Sequence, residues 1–165
     1  MVGDDVRARR HYKVTFALLA LVAVSYALLQ WLVALAIPDL QRALHTSVNA
    51  VTWVLTAYLL SASIATPVIG RLGDTYGKGR LLVVVLVLLC VATIVSALAT
   101  SLAVMLVGRV VQGAPGGVFP LAFGIIRDGF PRERAAGAVG VMSALAGVAG
   151  GAGVVLAGPI AQGLS

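Results

Sequence analysis

Residues 81–108 read LLVVVLVLLCVATIVSALATSLAVMLVG, and no charged side chain interrupts them. Hydrocarbon is the solvent that suits such a run. A bilayer core about 30 Å thick takes about 20 residues of helix, and only a helix or a closed barrel satisfies the backbone there. Working outward, further charge-free stretches lie at 14–38, 43–70, 110–126 and 135–165. Continuous apolar runs, without strand-like alternation, point to helices. The sequence therefore predicts an all-α, polytopic membrane helix bundle over residues 14–165 with five transmembrane helices, at about 14–37, 50–69, 81–99, 102–126 and 136–161. A basic tail over residues 1–13 precedes them.

Composition excludes the competing classes. Of the 165 residues, 60% are hydrophobic and 11% charged, and the mean hydropathy is +1.03. A soluble domain carries roughly 25% charged residues, and a small one exposes too much surface to hide this much apolar material. Disorder needs low hydrophobicity, and a disulfide-stapled module needs more than the single Cys90. A signal peptide is a rival reading of the first span, because Ala34-Leu35-Ala36 imitates a cleavage site. The apolar run before that site, at about 20 residues, exceeds the 7 to 15 of a signal core, so the reading favoured is a retained helix.

The cations give an orientation. Arg7, Arg9, Arg10 and Lys13 precede the first span; Arg71, Lys78 and Arg80 follow the second; Arg127, Arg132 and Arg134 follow the fourth. All of these fall on one side, against Arg42 on the other, which predicts a cytoplasmic amino terminus in a cell (plasma) inner membrane. The formal charge of +6 then reflects topology and attraction to anionic headgroups, with no nucleic acid implied.

Between spans two and three lies Gly70-Arg71-Leu72-Gly73-Asp74-Thr75-Tyr76-Gly77-Lys78-Gly79-Arg80. Its four glycines predict a tight turn with positive φ and close backbone approach. Asp74 among Arg71, Lys78 and Arg80 suits an ion-pair latch at the membrane surface, although a basic topogenic turn would look the same. This segment resembles the signature loop of the major facilitator superfamily, Gly-x-Leu-x-Asp-x-x-Gly-[Arg/Lys], with Gly70, Leu72, Asp74, Gly77 and Lys78 in its positions. Trp53–Leu60 and Pro67 resemble the second helix of the fourteen-helix drug:proton antiporter branch. Arg109-Val110-Val111-Gln112-Gly113 resembles the fourth-helix motif, Phe130–Arg134 the loop after it, and Gly158-Pro159 the end of the fifth-helix antiporter motif. The likeness runs in order from about residue 28 to 163.

Independently of that resemblance, Arg109 demands company. A charged side chain deep in a bilayer costs about 2.5 to 3.5 kcal/mol or more. Arg109 lies seven residues, about 10 Å of helix, below Leu102, and Gln30 lies at the same depth below Ile37. Tyr26 and Gln112 follow one turn deeper on the respective faces. The reading favoured is a polar cavity lined by Gln30, Tyr26, Arg109 and Gln112; the alternative is that Arg109 snorkels outward and Gln30 bonds a neighbouring helix. Tyr58 and Trp53 either meet substrate or anchor and pack. Ser61, Ser63 and Thr66 are expected to bond their own helix carbonyls. Gly147 and Gly151, like Gly113 and Gly117, form small-xxx-small pairs expected to pack helices, and Pro115 and Pro120 are expected to bend the fourth span. Cys90 is expected to pack. His11 and His45 are isolated, so no metal site or cofactor is expected, and no nucleophile, base and ligand set converges as an enzyme requires.

The resemblance implies a fold of two six-helix halves that rock for alternating access. Five spans form an incomplete half, so the sequence is expected to be the amino-terminal portion of a transporter whose carboxyl-terminal helices lie elsewhere. The implied activity is proton-coupled efflux of small molecules or drugs; a metabolite or sugar carrier, or a membrane scaffold without transport of its own, are the alternatives. The implied partners are the lipid bilayer, a small-molecule substrate and protons. The implied roles are a substrate or proton pathway at Arg109 and a cytoplasmic latch of Asp74 with the nearby cations and Asp128. One departure stands out: the first-helix acidic residue of the antiporter branch is Leu29 here, and no Asp or Glu lies within any expected span.

Overall fold

The computed structural model describes residues 2–35 and 37–163, with side chains described between Tyr12 and Ala152 (residues 32, 34–36 and 43 excepted) and at Val155. The described residues are helical throughout apart from short turns, with no strand among them. Helix α1 spans Val2–Leu35, α2 Ile37–Ala43, α3 Val48–Tyr76, α4 Lys78–Ala97 and α5 Leu102–Gly113. A 3-10 stretch, Ala114–Gly117, leads directly into α6 at Val118–Gly129, and α7 spans Arg132–Gly163. Among the described residues, five segments are long and apolar enough to cross a membrane: Tyr12–Trp31, Val48–Tyr76, Lys78–Ala97, Leu102–Gly129 and Arg132–Ala152. The all-α polytopic architecture read from the charge-free runs is the one observed.

The glycine-rich segment departs from expectation. Instead of a loop over residues 70–80, α3 runs to Tyr76 and α4 starts at Lys78. Gly77 alone carries a positive φ among the described glycines, at 96°, and its N–H donates to the Gly73 carbonyl at 3.0 Å. One residue outside helical geometry therefore makes the whole reversal. A helix interior tolerates Gly at about 1 kcal/mol relative to Ala, so Gly70 and Gly73 do not force the chain out of α3. Gly73 is there for space: a methyl group at that position would collide with Leu121.

The chain divides into two compact units, residues 36–122 and residues 1–35 with 123–165. In the first unit α5 and the 3-10 stretch pack against both α3 and α4. Glycines set how close they come. Side chains at Gly113, Gly116 and Gly117 would strike Ser61, Thr66 and Ile69 of α3, and one at Gly108 would strike Ser96 of α4. The expected Gly113/Gly117 pair is thus a packing seam. Pro115, buried, lies in the first turn of the 3-10 stretch, and Pro120 lies within α6. Ser47 and Ser101 cap α3 and α5, accepting from the N–H of Ala50 (3.2 Å) and Val104 (3.4 Å). Such caps contribute about 1 kcal/mol each. On α4, Val83, Val84, Val87, Val91 and Ile94 are exposed, an apolar stripe for which lipid is the solvent. Cys90 is exposed too, so it does not pack as expected.

In the second unit α1 and α7 lie side by side. Tyr12 meets Phe130 in a tilted ring pair, 5.3 Å between centroids, and nineteen residues further along α1 Trp31 covers Gly150. The contacts advance together along both helices, so α1 and α7 run parallel. Nineteen residues of helix span about 28 Å, close to one hydrocarbon thickness. Leu19, Ala20, Ala23 and Tyr26 form the buried stripe of α1; Met142 and Ala149 are buried on α7. The expected pair Gly147 and Gly151 has nothing within 4 Å of where a Cβ would stand. The glycine that admits a neighbour is Gly150, because bulky Trp31 needs a flat landing. Gly158 and Pro159 lie within the backbone of α7, and their surroundings fall outside the described side chains.

Gly117→Leu is expected to destabilise the protein by about 1 to 3 kcal/mol through overpacking against Ile69. Gly70→Ala, inside α3 with open space around it, is expected to stabilise by up to about 1 kcal/mol. Thermal unfolding in mild detergent, followed by tryptophan fluorescence, checks both.

Candidate functional site

Two polar constellations stand out on this apolar scaffold. The first is built on α5. Its face toward α3 and α4 carries Gly108, Arg109, Gln112 and Gly113, all buried. Arg109 and Gln112 are each 3% exposed, and their spacing of three residues puts them on one face. Gln112 Nε2 donates to Thr93 Oγ1 on α4 at 3.1 Å, and Thr93 Oγ1 donates in turn to the Leu89 carbonyl at 2.7 Å. On the other side, Ser61 Oγ of α3 donates to the Val110 carbonyl at 2.6 Å. Helix α5 is held by a side-chain hydrogen bond from each neighbour. In hydrocarbon such bonds contribute about 0.6 to 2 kcal/mol each.

Arg109 is different. Its Nε is buried and has no hydrogen-bond partner, and half-buried Tyr58, one turn before Ser61 on α3, lies within electrostatic reach of the guanidinium. A buried, incompletely satisfied donor of this kind costs about 1 to 3 kcal/mol, more when charged. Structural side chains seldom sustain that, whereas groups that receive a ligand do. Nothing in this unit offers it a carboxylate: Asp39 and Asp74 are both exposed, and no Asp or Glu occurs between residues 75 and 127.

The remaining residues of the expected cavity sit on α1, in the other unit. Tyr26 is buried at 5% exposure, and one turn further the Nε2 of Gln30 is buried with no hydrogen-bond partner. Arg109 Nε on α5 and Gln30 Nε2 on α1 are thus each buried without a hydrogen-bond partner, one in each unit.

The second constellation is the α3–α4 reversal. Lys78 Nζ pairs with Asp74 Oδ1 at 2.9 Å, bridging the end of α3 and the start of α4 across Gly77. Gly77 supplies the φ of 96° that folds the two helix ends over each other. Arg71 and Arg80 are exposed, Leu72 is partly exposed, and Gly70 faces open space. Asp128 is exposed in the last turn of α6 and belongs to the other unit. Among the described residues no group of three or more His, Cys, Asp or Glu could hold a metal ion.

Sequence reasoning missed three participants. Thr93, the partner of Gln112, and Ser96, beneath Gly108, are hydroxyls three residues apart on the otherwise apolar α4; that pairing was the available signal for the face α4 turns to α5. Ser61 was expected to bond its own helix and instead crosses to α5, while Ser63 and Thr66 do bond their own helix, at the carbonyls of Leu60 and Ala62.

Comparison with known proteins shows the family. Residues 19–165 match the sequence profile of the Major Facilitator Superfamily. An "MFS-type transporter" of Aspergillus terreus is 37% identical over 138 residues, covering 82% of this chain and 25% of the relative. The "Tetracenomycin C resistance and export protein" of Streptomyces glaucescens is 32% identical over 90% of this chain and 28% of its own length. An "MFS-type efflux pump" of Mycosarcoma maydis is 30% identical over 97% of this chain and 26% of its own. The chain spans about a quarter of the length of these relatives.

Thr93→Val is expected to strand the Gln112 amide and destabilise the fold by about 1 to 3 kcal/mol, while Thr93→Val combined with Gln112→Leu recovers most of that loss. Thermal midpoints of the single and double variants in detergent check the coupling.

Proposed function

The chain belongs to the Major Facilitator Superfamily, and on that premise we propose that it is the amino-terminal part of a secondary transporter that exports small molecules by alternating access, coupled to protons. The observation that carries the reading is Arg109, 3% exposed in a membrane helix with an unsatisfied Nε. A fixed positive charge at that depth attracts an anionic or strongly polar group and repels a proton arriving on a neighbouring site. It therefore links the two occupancies electrostatically, with larger effect in a low-dielectric interior than in water. Gln112, Tyr58, Tyr26 and Gln30 supply the hydrogen-bonding lining of this pathway. The printed names of the relatives, an efflux pump and a tetracenomycin C resistance and export protein, support export as the direction.

No Asp or Glu lies within residues 14–37, 50–69, 81–99, 102–126 or 136–161, so a proton-coupled mechanism draws its carboxylate from other helices of the transporter. Asp74 and Lys78 act as a latch at the cytoplasmic face: the pair fixes the α3–α4 reversal, and rocking of the bundle strains or frees it. Asp128 is the second acid within the same latch. The excess of Lys and Arg on this side supports a cytoplasmic amino terminus, and the membrane proposed is the cell (plasma) inner membrane.

Arg109→Ala and Gln30→Ala in the complete transporter are expected to lower efflux about tenfold or more, the loss of one charge-assisted or buried hydrogen bond, with protein levels in the membrane unchanged. Wild-type efflux by both variants would contradict the pathway. Asp74→Asn is expected to impair transport while leaving membrane insertion intact, measured as substrate efflux from loaded cells or proteoliposomes; normal efflux would refute the latch.

A further inference from the structure

Beside the start of α7, Tyr12 and Phe16 of α1 line with Phe130 a cavity of about 420 Å³ whose lining also includes the cations Lys13 and Arg134 and Gly137. We propose that this groove binds the headgroup phosphate and upper acyl chain of an acidic phospholipid.

Three features single out that occupant. The first is depth: Lys13 and Arg134 are the last charged residues before the charge-free stretches 14–38 and 135–165, so the groove sits at the boundary of headgroups and hydrocarbon. The second is charge. Lys13 and Arg134 are both exposed, and among the described residues the lining contains no carboxylate to neutralise them. Two cations converging at this level suit a single phosphodiester, and Arg presents the planar donor fork that grips its oxygens. The third is the wall. Phe16 and the tilted Tyr12–Phe130 pair, 5.3 Å between centroids, offer apolar surface continuous with the bilayer, which suits an acyl chain and not a freely soluble anion. Gly137 keeps the groove open, because nothing lies within 4 Å of where its Cβ would stand. The proposal concerns residues that the transport pathway does not use, and it holds whichever direction transport runs.

The test is native mass spectrometry of the full chain equilibrated in mixed micelles of phosphatidylglycerol and phosphatidylcholine. Each interfacial cation is worth about fivefold in affinity for an anionic lipid, so wild type is expected to retain phosphatidylglycerol about 25-fold more tightly than phosphatidylcholine. Lys13→Gln with Arg134→Gln is expected to abolish that preference. Gly137→Leu keeps both cations, improves helix propensity and fills the groove; it is expected to release both lipids, with a thermal midpoint at or above that of wild type showing that the fold is intact. Equal retention of the two lipids by wild type, or an unchanged preference in the double variant, would overturn the proposal. Full competition by soluble glycerol phosphate at matched concentration would assign the cations to a free phosphate and overturn it as well.

Discussion

Ser61 Oγ reaches across a helix interface to the Val110 carbonyl at 2.6 Å, and that bond forms only because Gly113, opposite Ser61, has no side chain. In a bilayer, water cannot complete a helix, and lipid tails gain nothing by leaving one apolar surface for another. What holds helices together is close packing and the polar bonds that close packing permits. The glycines at 108, 113, 116 and 117 bring α5 and its 3-10 extension against α3 and α4, and the bonds donated by Ser61 to Val110 and by Gln112 to Thr93 follow from that proximity. Arg109 is buried on the same helix face, so the seam that stabilises the unit also desolvates the charge on which the proposed mechanism depends.

The reversal at Gly77 is economical in the same way. A rigid helix on either side meets at a single residue of positive φ, and Asp74 and Lys78 span it. Such a joint resists bending within each helix and concentrates motion in one place. A latch needs that property, since the energy of one ion pair at a partly exposed site is modest, about 0 to 1 kcal/mol, and matters only where a small displacement breaks it.

Much of this was legible in the sequence, for physical reasons. Charge-free runs the length of a bilayer have one stable solution, so the five membrane segments followed from the positions of Arg and Lys alone. Arg109 was conspicuous because a buried charge is expensive, and the Gly113/Gly117 spacing because four residues return to the same helix face. What could not be read was local hydrogen-bond choice and partner identity. The glycines at 70–79 suggest a loop, yet helix continuity prevails until Gly77, where the chain must turn. Spacing alone presents Gly147 and Gly151 as an interface, but it is Gly150 that lies under Trp31, and nothing in the residue pattern of α7 distinguishes the two. Ser61 could bond its own helix or the next, and the outcome depends on how close α5 comes.

The central claim is therefore the glycine-mediated contact of α3 with the α5 extension. A Cβ at Gly116 would stand 3.2 Å from the Ala62 Cβ, within a few tenths of an ångström of the range of about 3.5 to 4.5 Å that a disulfide spans. With Cys90 replaced by Ser, the pair Ala62→Cys and Gly116→Cys should cross-link rapidly on mild oxidation in native membranes, while Leu60→Cys with Gly116→Cys, whose Leu60 is exposed, should not. Failure of the first pair to cross-link, or equal cross-linking of both, would contradict the packing on which the account rests.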